Sequence, residues 1–413
     1  MLKHIQNGDI YMSNKFFCPL PWNHLMFRSN GKVQACCESY NHGFDMEETL
    51  QKTANNKIMK KLRLDMLEPD TVPELCWKCE NREKFQNSSV RKFSLNSYPH
   101  WNEEAARLST NEDGSVDNWR MEYLDIRWSN LCNYKCRFCG VQSSNLWLKD
   151  AKLLGIQNLD EYNPKTGIAE FNMDWEDFKT HLPYVRKIKL AGGEPTIMPG
   201  TYQLLEELIR LENTNISISL VTNGTTIKYG KYDLLEMFSK FKSKSKNKTI
   251  QISAEGMGQR HAWARSAKDD WEHIDSNIQQ FKKFVNENSN WRLNFHTGIS
   301  WMNMYHLADM VEHYADTEFI FNIVSDPPEM SIQRFYKKEL EKASEFYSQR
   351  IRGTNQPLVI EHLTTIKNAI DNALITTKEN IKIDLFKQQQ RILDGSRNQN
   401  FAQAYPEWAH LYA

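Results

Sequence analysis

No cysteine follows position 139. The eight in the chain are Cys18, Cys36, Cys37, Cys76, Cys79, Cys132, Cys136 and Cys139. A disulfide scaffold is normally small and secreted, and a chain of 413 residues with its cysteines confined to one third is neither. No stretch reaches the roughly 18 consecutive apolar residues of a membrane span. The opening MLKHIQNGDIYMSNKFF lacks the apolar core of a secretory signal. These absences predict a cytoplasmic protein without a membrane partner. There is also no net charge, with 52 basic residues against 52 acidic ones. That argues against a globally basic nucleic-acid binder and leaves a local basic face open. With 40% hydrophobic and 25% charged residues the composition is globular. Cysteines grouped in this way point to metal, whereas cysteines that merely fill a core would be scattered.

Three regions follow from the pattern along the chain. Residues 1–118 are loop-rich: CPLPW at 18–22, a turn and short strand in SNGKVQACC at 29–37, helical spacing over 57–67, then CWKCE at 76–80. Residues 119–325 alternate strand with helix. Strands are expected at 121–129, 185–193, 216–224, 249–256, 291–300 and 318–324, and helices in between, such as 200–212 and 274–287. Most of these strands are rich in Ile, Val and Leu, as strands buried on both faces should be. The alternation predicts βαβ units with parallel strands. Six repeats suit a partial (β/α)6 TIM-like barrel, in which strand C-termini carry the chemistry. Residues 326–413 read as a helical C-terminal region. The one dense basic run, FKSKSKNK at 241–248, reads as a solvated loop.

SNLCNYKCRFCG places Cys132, Cys136 and Cys139 in C-x3-C-x2-C spacing just after the first expected barrel strand. Three thiolates in one short loop can converge on one metal centre. A structural zinc wants four ligands. A cubane iron–sulfur cluster takes one cysteine per iron, so three leave an iron open for a substrate or cofactor. This triad resembles the signature of the radical S-adenosylmethionine (radical SAM) enzymes. The resemblance implies a 4Fe–4S cluster at Cys132, Cys136 and Cys139 whose open iron chelates S-adenosylmethionine, and reductive cleavage of that cofactor to a 5′-deoxyadenosyl radical. Other residues match the family's cofactor contacts. Phe138 takes the aromatic position beside the adenine. Gly192, Gly193 and Glu194 in AGGEP match the GGE motif that holds the methionine ammonium. Thr222 and Asn223 in VTNGT fall on the cofactor-side rim. Ser253 and Glu255 in ISAEG resemble the S-x-D/E-G segment, where Ser253 meets the ribose or carboxylate and Glu255 points toward the substrate space. Arg265 matches an arginine set against the cofactor carboxylate, and Asn303 is a weaker match.

Cys18 and Cys36 stand in C-x12-G-x4-C around Gly31, with Cys76-x-x-Cys79 further on. This resembles the cysteine pattern of SPASM and twitch domains, placed here ahead of the barrel instead of after it. Gly31 suits a tight turn that brings Cys18 and Cys36 together. The resemblance implies a second, auxiliary 4Fe–4S cluster on Cys18, Cys36, Cys76 and Cys79. Zinc is the structural alternative, since four thiolates suit it equally. Cys37 is the spare that can exchange roles with Cys36. CWKC on its own also resembles a redox dithiol, without the βαβ context of one.

The expected function is a radical SAM enzyme that abstracts a hydrogen atom from a peptide or protein, served by a reductant such as flavodoxin or ferredoxin. The alternatives are a small-molecule or nucleotide-modifying enzyme of the same kind and a non-catalytic iron–sulfur or zinc protein. His24, His261 and His296 are candidates for proton transfer by residue type alone.

Overall fold

The computed structural model describes residues 14–39, 42–85, 89–169, 173–211, 215–266 and 271–412. Contacts divide the chain into two compact units, residues 1–126 with 171–188 and residues 127–170 with 189–413.

The first unit contains strands β1 (His24–Phe27), β2 (Lys32–Gln34), β3 (Phe44–Asp45) and β4 (Tyr123–Ile126). β1 lies between β2, to which it is antiparallel, and β4, to which it is parallel; β2 continues antiparallel to β3. The β1–β2 turn closes through Gly31 at φ +79°, a left-handed conformation that glycine adopts without Cβ strain. The helix Lys57–Leu67 forms where the spacing predicts it, capped by the Asn56 side chain and burying Met59, Leu62, Met66 and Leu67. It also buries Arg63, whose guanidinium donates to Pro21 O, Ala54 O, Gly114 O and the Asn55 side chain. One cation thus satisfies carbonyls from several loops, and burial lowers its pKa to about 10. Two further helices, Val90–Ser97 and Glu103–Ser109, form within the segment expected to be loop-rich, and the side chains of Ser89 and Asn102 cap them.

The remaining strands are β5 (Lys187–Leu190), β6 (Ser217–Thr222), the short pair β7 (Lys228–Tyr229) and β8 (Tyr232–Asp233), β9 (Lys248–Ser253), β10 (Trp291–Ile299) and β11 (Glu318–Ile323). All six expected barrel strands therefore form, as β4, β5, β6, β9, β10 and β11. In the second unit β6, β9, β10 and β11 lie side by side in that order, every neighbour parallel. The row ends at β11 without closing into a ring, which is the expected partial barrel. The helices Pro199–Leu211 and Trp271–Glu287 follow β6's neighbours in the chain and bury regular apolar faces, Tyr202, Leu205 and Leu208 in one and Ile274, Ile278 and Phe281 in the other.

One expectation changes. The strands are not apolar on both faces. Along β5, β6 and β9 burial alternates residue by residue. Ile188 and Leu190, Ile218 and Leu220, and Ile250 and Ile252 are buried, while Lys189, Val221, Gln251 and Ser253 line a cavity. An open barrel of this size leaves an interior that polar side chains can occupy.

The C-terminal region is helical as expected, with Lys337–Arg352, Pro357–Thr376 and Ile383–Arg397 the long elements. Phe335 stacks on Trp301, and Phe386, Phe401 and Trp408 meet the same ring edge-on to seal it. Among the described residues no helix is long and apolar enough to cross a membrane.

Candidate functional site

The loop that follows β4 carries the cysteine triad, and side-chain hydrogen bonds fix its path. Asn130 is buried, donates to Val141 O and Gly167 O, and accepts from Ala169 N. Asn145 accepts from Cys132 N, Ser144 donates to Tyr134 O, and Trp147 donates to Cys136 O at 2.8 Å. Such bonds hold an irregular backbone in one shape where no ladder can.

The three thiols open onto one cavity of about 340 Å3, which Phe138, Gly192, Gly193, Glu194, Thr222, Asn223, Ser253 and Arg265 also line. Of the residues matched to cofactor contacts, Glu255 and Asn303 are not among those lining it. A thiolate in this place is favoured unevenly. The hydrogen bond from Cys139 lowers the Cys136 pKa, against burial and with help from Arg265, and the same bond raises that of Cys139. Burial raises Cys132. Among the described residues no three His, Cys, Asp or Glu side chains are grouped to hold a single ion. Thiols spread around a cavity suit a cluster, in which each cysteine takes a different iron.

The GGE turn grips this loop directly. Gly193 N donates to Ser129 O and Glu194 N to Leu131 O, at 3.2 and 2.8 Å. A Cβ on Gly193 would stand 2.0 Å from Leu131 O, so the close approach that requires glycine is to the backbone beside Cys132. Gly192 has φ +123°, which L side chains rarely adopt. The Glu194 carboxylate is buried and held by four donors. Oε1 accepts from the Thr196 backbone and hydroxyl and from Thr222, and Oε2 accepts from Asn223 N. Burial raises its pKa against these four bonds. Thr222 and Asn223 therefore act on Glu194 and on the cysteine loop: the Asn223 side chain donates to Asn133, between Cys132 and Tyr134.

Glu255, expected to face the substrate space, instead clasps Arg265 through two bonds of 2.7 and 2.8 Å. Both side chains are buried. A carboxylate facing a guanidinium fork in a dry site is held there by the charge-assisted pair. Arg265 in turn reaches the Cys136 sulfur at 3.7 Å and lies 5.7 Å from the Phe138 ring. Burial works against its charge, but Glu255 and Cys136 outweigh burial and raise its pKa. Asn303 is structural, donating to Glu255 O and Gly298 O.

Of the three histidines, His296 alone lines the cavity. Burial lowers its pKa, and Lys189 and Arg265 add to the effect. His24 stacks on Tyr123 and bonds to its carbonyl. His261 is buried with neither ring nitrogen bonded, and burial lowers its pKa to about 3. Sequence reasoning missed several cavity residues, among them Arg127, Lys189 and Gln251. The signal for Lys189 and Gln251 was the period-two alternation in KIKL and TIQIS.

The first unit gathers the other cysteines. Cys18 and Cys79 are buried, and Cys36, Cys37 and Cys76 partly so. Burial raises the thiol pKa of Cys18, Cys36 and Cys76, and neighbouring thiols add to it. Cys18 senses Cys76 and Cys79, Cys36 senses Cys37, Cys18 and Cys79, and Cys76 senses Cys36 and Cys79. Cys18, Cys36, Cys76 and Cys79 thus lie within electrostatic reach of one another, with Cys37 next to Cys36 in the chain. Arg91, also missed in the sequence, stands next to them. It lowers the Cys18 and Cys76 values, bonds to Phe17 O, and is fixed by Glu83 through two hydrogen bonds.

Comparison with known proteins places this geometry. Residues 126–313 match the radical SAM superfamily, and residues 18–80 match SPASM, an iron–sulfur cluster-binding domain. Two curated relatives are GTP 3′,8-cyclases. The one from Peptoclostridium acidaminophilum is 29% identical over 105 residues, which cover 25% of this chain and 28% of the relative. A probable one from Thermococcus kodakarensis is 25% identical over 218 residues, covering 52% and 61%. The chain therefore spans less than two thirds of the length of either relative. A solved structure described as native anSMEcpe with bound AdoMet shares 19% identity at a TM-score of 0.38, covering 57% of this chain and 62% of that one. The triad and the GGE turn lie within the segment that matches the radical SAM superfamily, and Cys18, Cys36, Cys76 and Cys79 lie within the SPASM match that precedes it.

Proposed function

We propose that this chain is a radical SAM enzyme with two iron–sulfur centres, acting on a peptide or protein. The observation that carries the reading is the single cavity shared by Cys132, Cys136, Cys139, Glu194 and Ser253. Its donor set fits the cofactors: three thiols for three irons, and a carboxylate and hydroxyl for the polar groups of S-adenosylmethionine. When both are bound, the chemistry supplied is one-electron cleavage of S-adenosylmethionine to a 5′-deoxyadenosyl radical, which takes a hydrogen atom from substrate.

The chain's own residues bind and orient. Cys132, Cys136 and Cys139 hold the cluster. Glu194 Oε1 is filled by three donors, so Oε2, with one, is the oxygen left to accept from the methionine ammonium. Thr222, Thr196 and Asn223 aim that carboxylate. Gly192 and Gly193 let the turn approach the cysteine loop. With the cofactor bound, Phe138 would hold the adenine, Ser253 the ribose or carboxylate, and Arg265, oriented by Glu255 beside Cys136, the cofactor carboxylate. Cys18, Cys36, Cys76 and Cys79 hold the auxiliary cluster, with Arg91 offsetting the thiolate charge. A reductant such as flavodoxin or ferredoxin in the cytoplasm supplies electrons. The domain division proposed is 1–118 for the auxiliary cluster, 119–325 for the barrel and 326–413 for the helical region.

The peptide reading rests on the resemblance to SPASM and twitch enzymes, while the SPASM match itself speaks for the auxiliary iron–sulfur segment. The GTP 3′,8-cyclase relatives favour a second one, a nucleotide substrate. The test is anaerobic reconstitution with S-adenosylmethionine and dithionite. Formation of 5′-deoxyadenosine is expected, and its absence from fully loaded protein removes the enzyme reading. Stimulation of that product by GTP decides for the nucleotide and against the peptide.

A further inference from the structure

The C-terminal helix Ile383–Arg397 reaches both residues that flank Cys136. On one side, Lys135 O accepts from Arg397 Nη1 at 2.9 Å. On the other, Arg137 donates to Gln390 at 2.8 Å, Asp394 at 2.5 Å and Gln399 at 2.8 Å. The Arg137 guanidinium also lies 4.0 Å from the Trp263 ring centre.

Neither cation is near water. The Arg137 side chain is 0% exposed, that of Arg397 1% and that of Asp150 0%. Arg397 is fixed by Asp150 at 3.0 Å and Ser266 at 2.6 Å, and it lies 4.7 Å from the Trp147 ring centre. Trp147 in turn holds Cys136 O. Asp394 gathers Arg137, Trp263, Phe401 N and Tyr412.

Such burial needs a reason. Replacing a buried ion pair by apolar side chains is often neutral or stabilising, so stability alone does not account for two of them around one loop residue. What buried pairs with rigid guanidinium forks supply is one geometry. We propose that the C-terminal helix is part of the triad site, with Arg397 and Asp394 positioning residues for Cys136. This rests on the reading of the triad as cluster ligands.

The experiment uses the full chain, reconstituted anaerobically and reduced. The change that S-adenosylmethionine induces in the cluster's electron paramagnetic resonance signal reports on the triad alone, because only that cluster has an open iron. Arg397→Lys keeps the charge opposite Asp150 but gives up the donor to Lys135 O. Its circular dichroism should match the wild type, while the induced change is broadened and at least halved. Asp150→Asn with Arg397→Gln replaces the pair by a neutral hydrogen bond, and should show the same loss and a lower iron content. Ile370→Val, a core change in the helix Pro357–Thr376, is the stability control and should leave the signal unaltered.

If Arg397→Lys folds and gives the wild-type signal and iron content, the positioning role is wrong. Should it not fold, the double variant decides by the same readings. A wild-type protein with no induced change removes the cluster reading itself, a separate outcome.

Discussion

Replacing Gly193 by alanine tests the grip of the GGE turn on the cysteine loop. The added Cβ would lie 2.0 Å from Leu131 O, 2.6 Å from Leu131 C and 2.8 Å from Asn130 C. All three are backbone atoms, so no flexible side chain can move aside. Restoring an ordinary contact requires a shift of over 1 Å, roughly, in the residue before Cys132. That shift breaks the bonds from Gly193 N to Ser129 O and from Glu194 N to Leu131 O, about 1 kcal/mol each. Overpacking adds about 1–3 kcal/mol, for a total of about 3–5 kcal/mol concentrated at the triad. We predict that Gly193→Ala folds with a lowered melting temperature, loads the N-terminal cluster normally and loses iron from the triad. Iron content, the response of the reduced signal to S-adenosylmethionine, and thermal denaturation check it. Wild-type iron with wild-type S-adenosylmethionine affinity would refute the argument, because the loop would then have moved without consequence.

Three further outcomes are expected. Glu194→Gln should weaken S-adenosylmethionine binding by about 1.5–3 kcal/mol with iron near normal, since the backbone bond to Leu131 is kept; calorimetric titration would expose an unchanged affinity. Removing Cys132, Cys136 and Cys139 together should abolish 5′-deoxyadenosine yet leave about four irons, and adding Cys76→Ser should bleach the protein and loosen the first unit to protease, while Cys37→Ala does little. Zinc found in that protein by elemental analysis would overturn the auxiliary-cluster assignment. His261 is held neutral by burial, with its pKa lowered from 6.5 to about 3. The unfolded chain takes up that proton first, so the contribution is complete above pH 6.5 and is lost as pH falls toward 3, by up to about 5 kcal/mol. His261→Leu should flatten the stability profile across that window, and an unaltered acid transition would show that other groups govern it.

Much of the site was legible because its chemistry is local. Cys132, Cys136 and Cys139 lie within one loop, and the turn AGGEP and the ends of β6 and β9 each announce themselves by residue type. The six strands were legible from their apolar runs. Other features depend on contacts between distant segments. No spacing indicated that Glu255 would turn to Arg265, since either could have faced solvent or substrate until the helix Gly258–Arg265 set them side by side in a dry pocket. Arg91 reads as an ordinary surface cation until the fold, with Glu83 fixing its guanidinium, sets it near Cys18 and Cys76. Gly193 reads as a place for a ligand, yet its missing side chain makes room for Leu131 O. Arg137 and Arg397 are separated by most of the second unit and act on one cysteine. The sequence by itself determined which atoms can bind iron and the order of strand and helix, because thiol chemistry and hydrophobic period are properties of short segments. The tertiary structure alone decided which charges face those thiols, because a buried charge is stable only where the folded chain brings its partner to it.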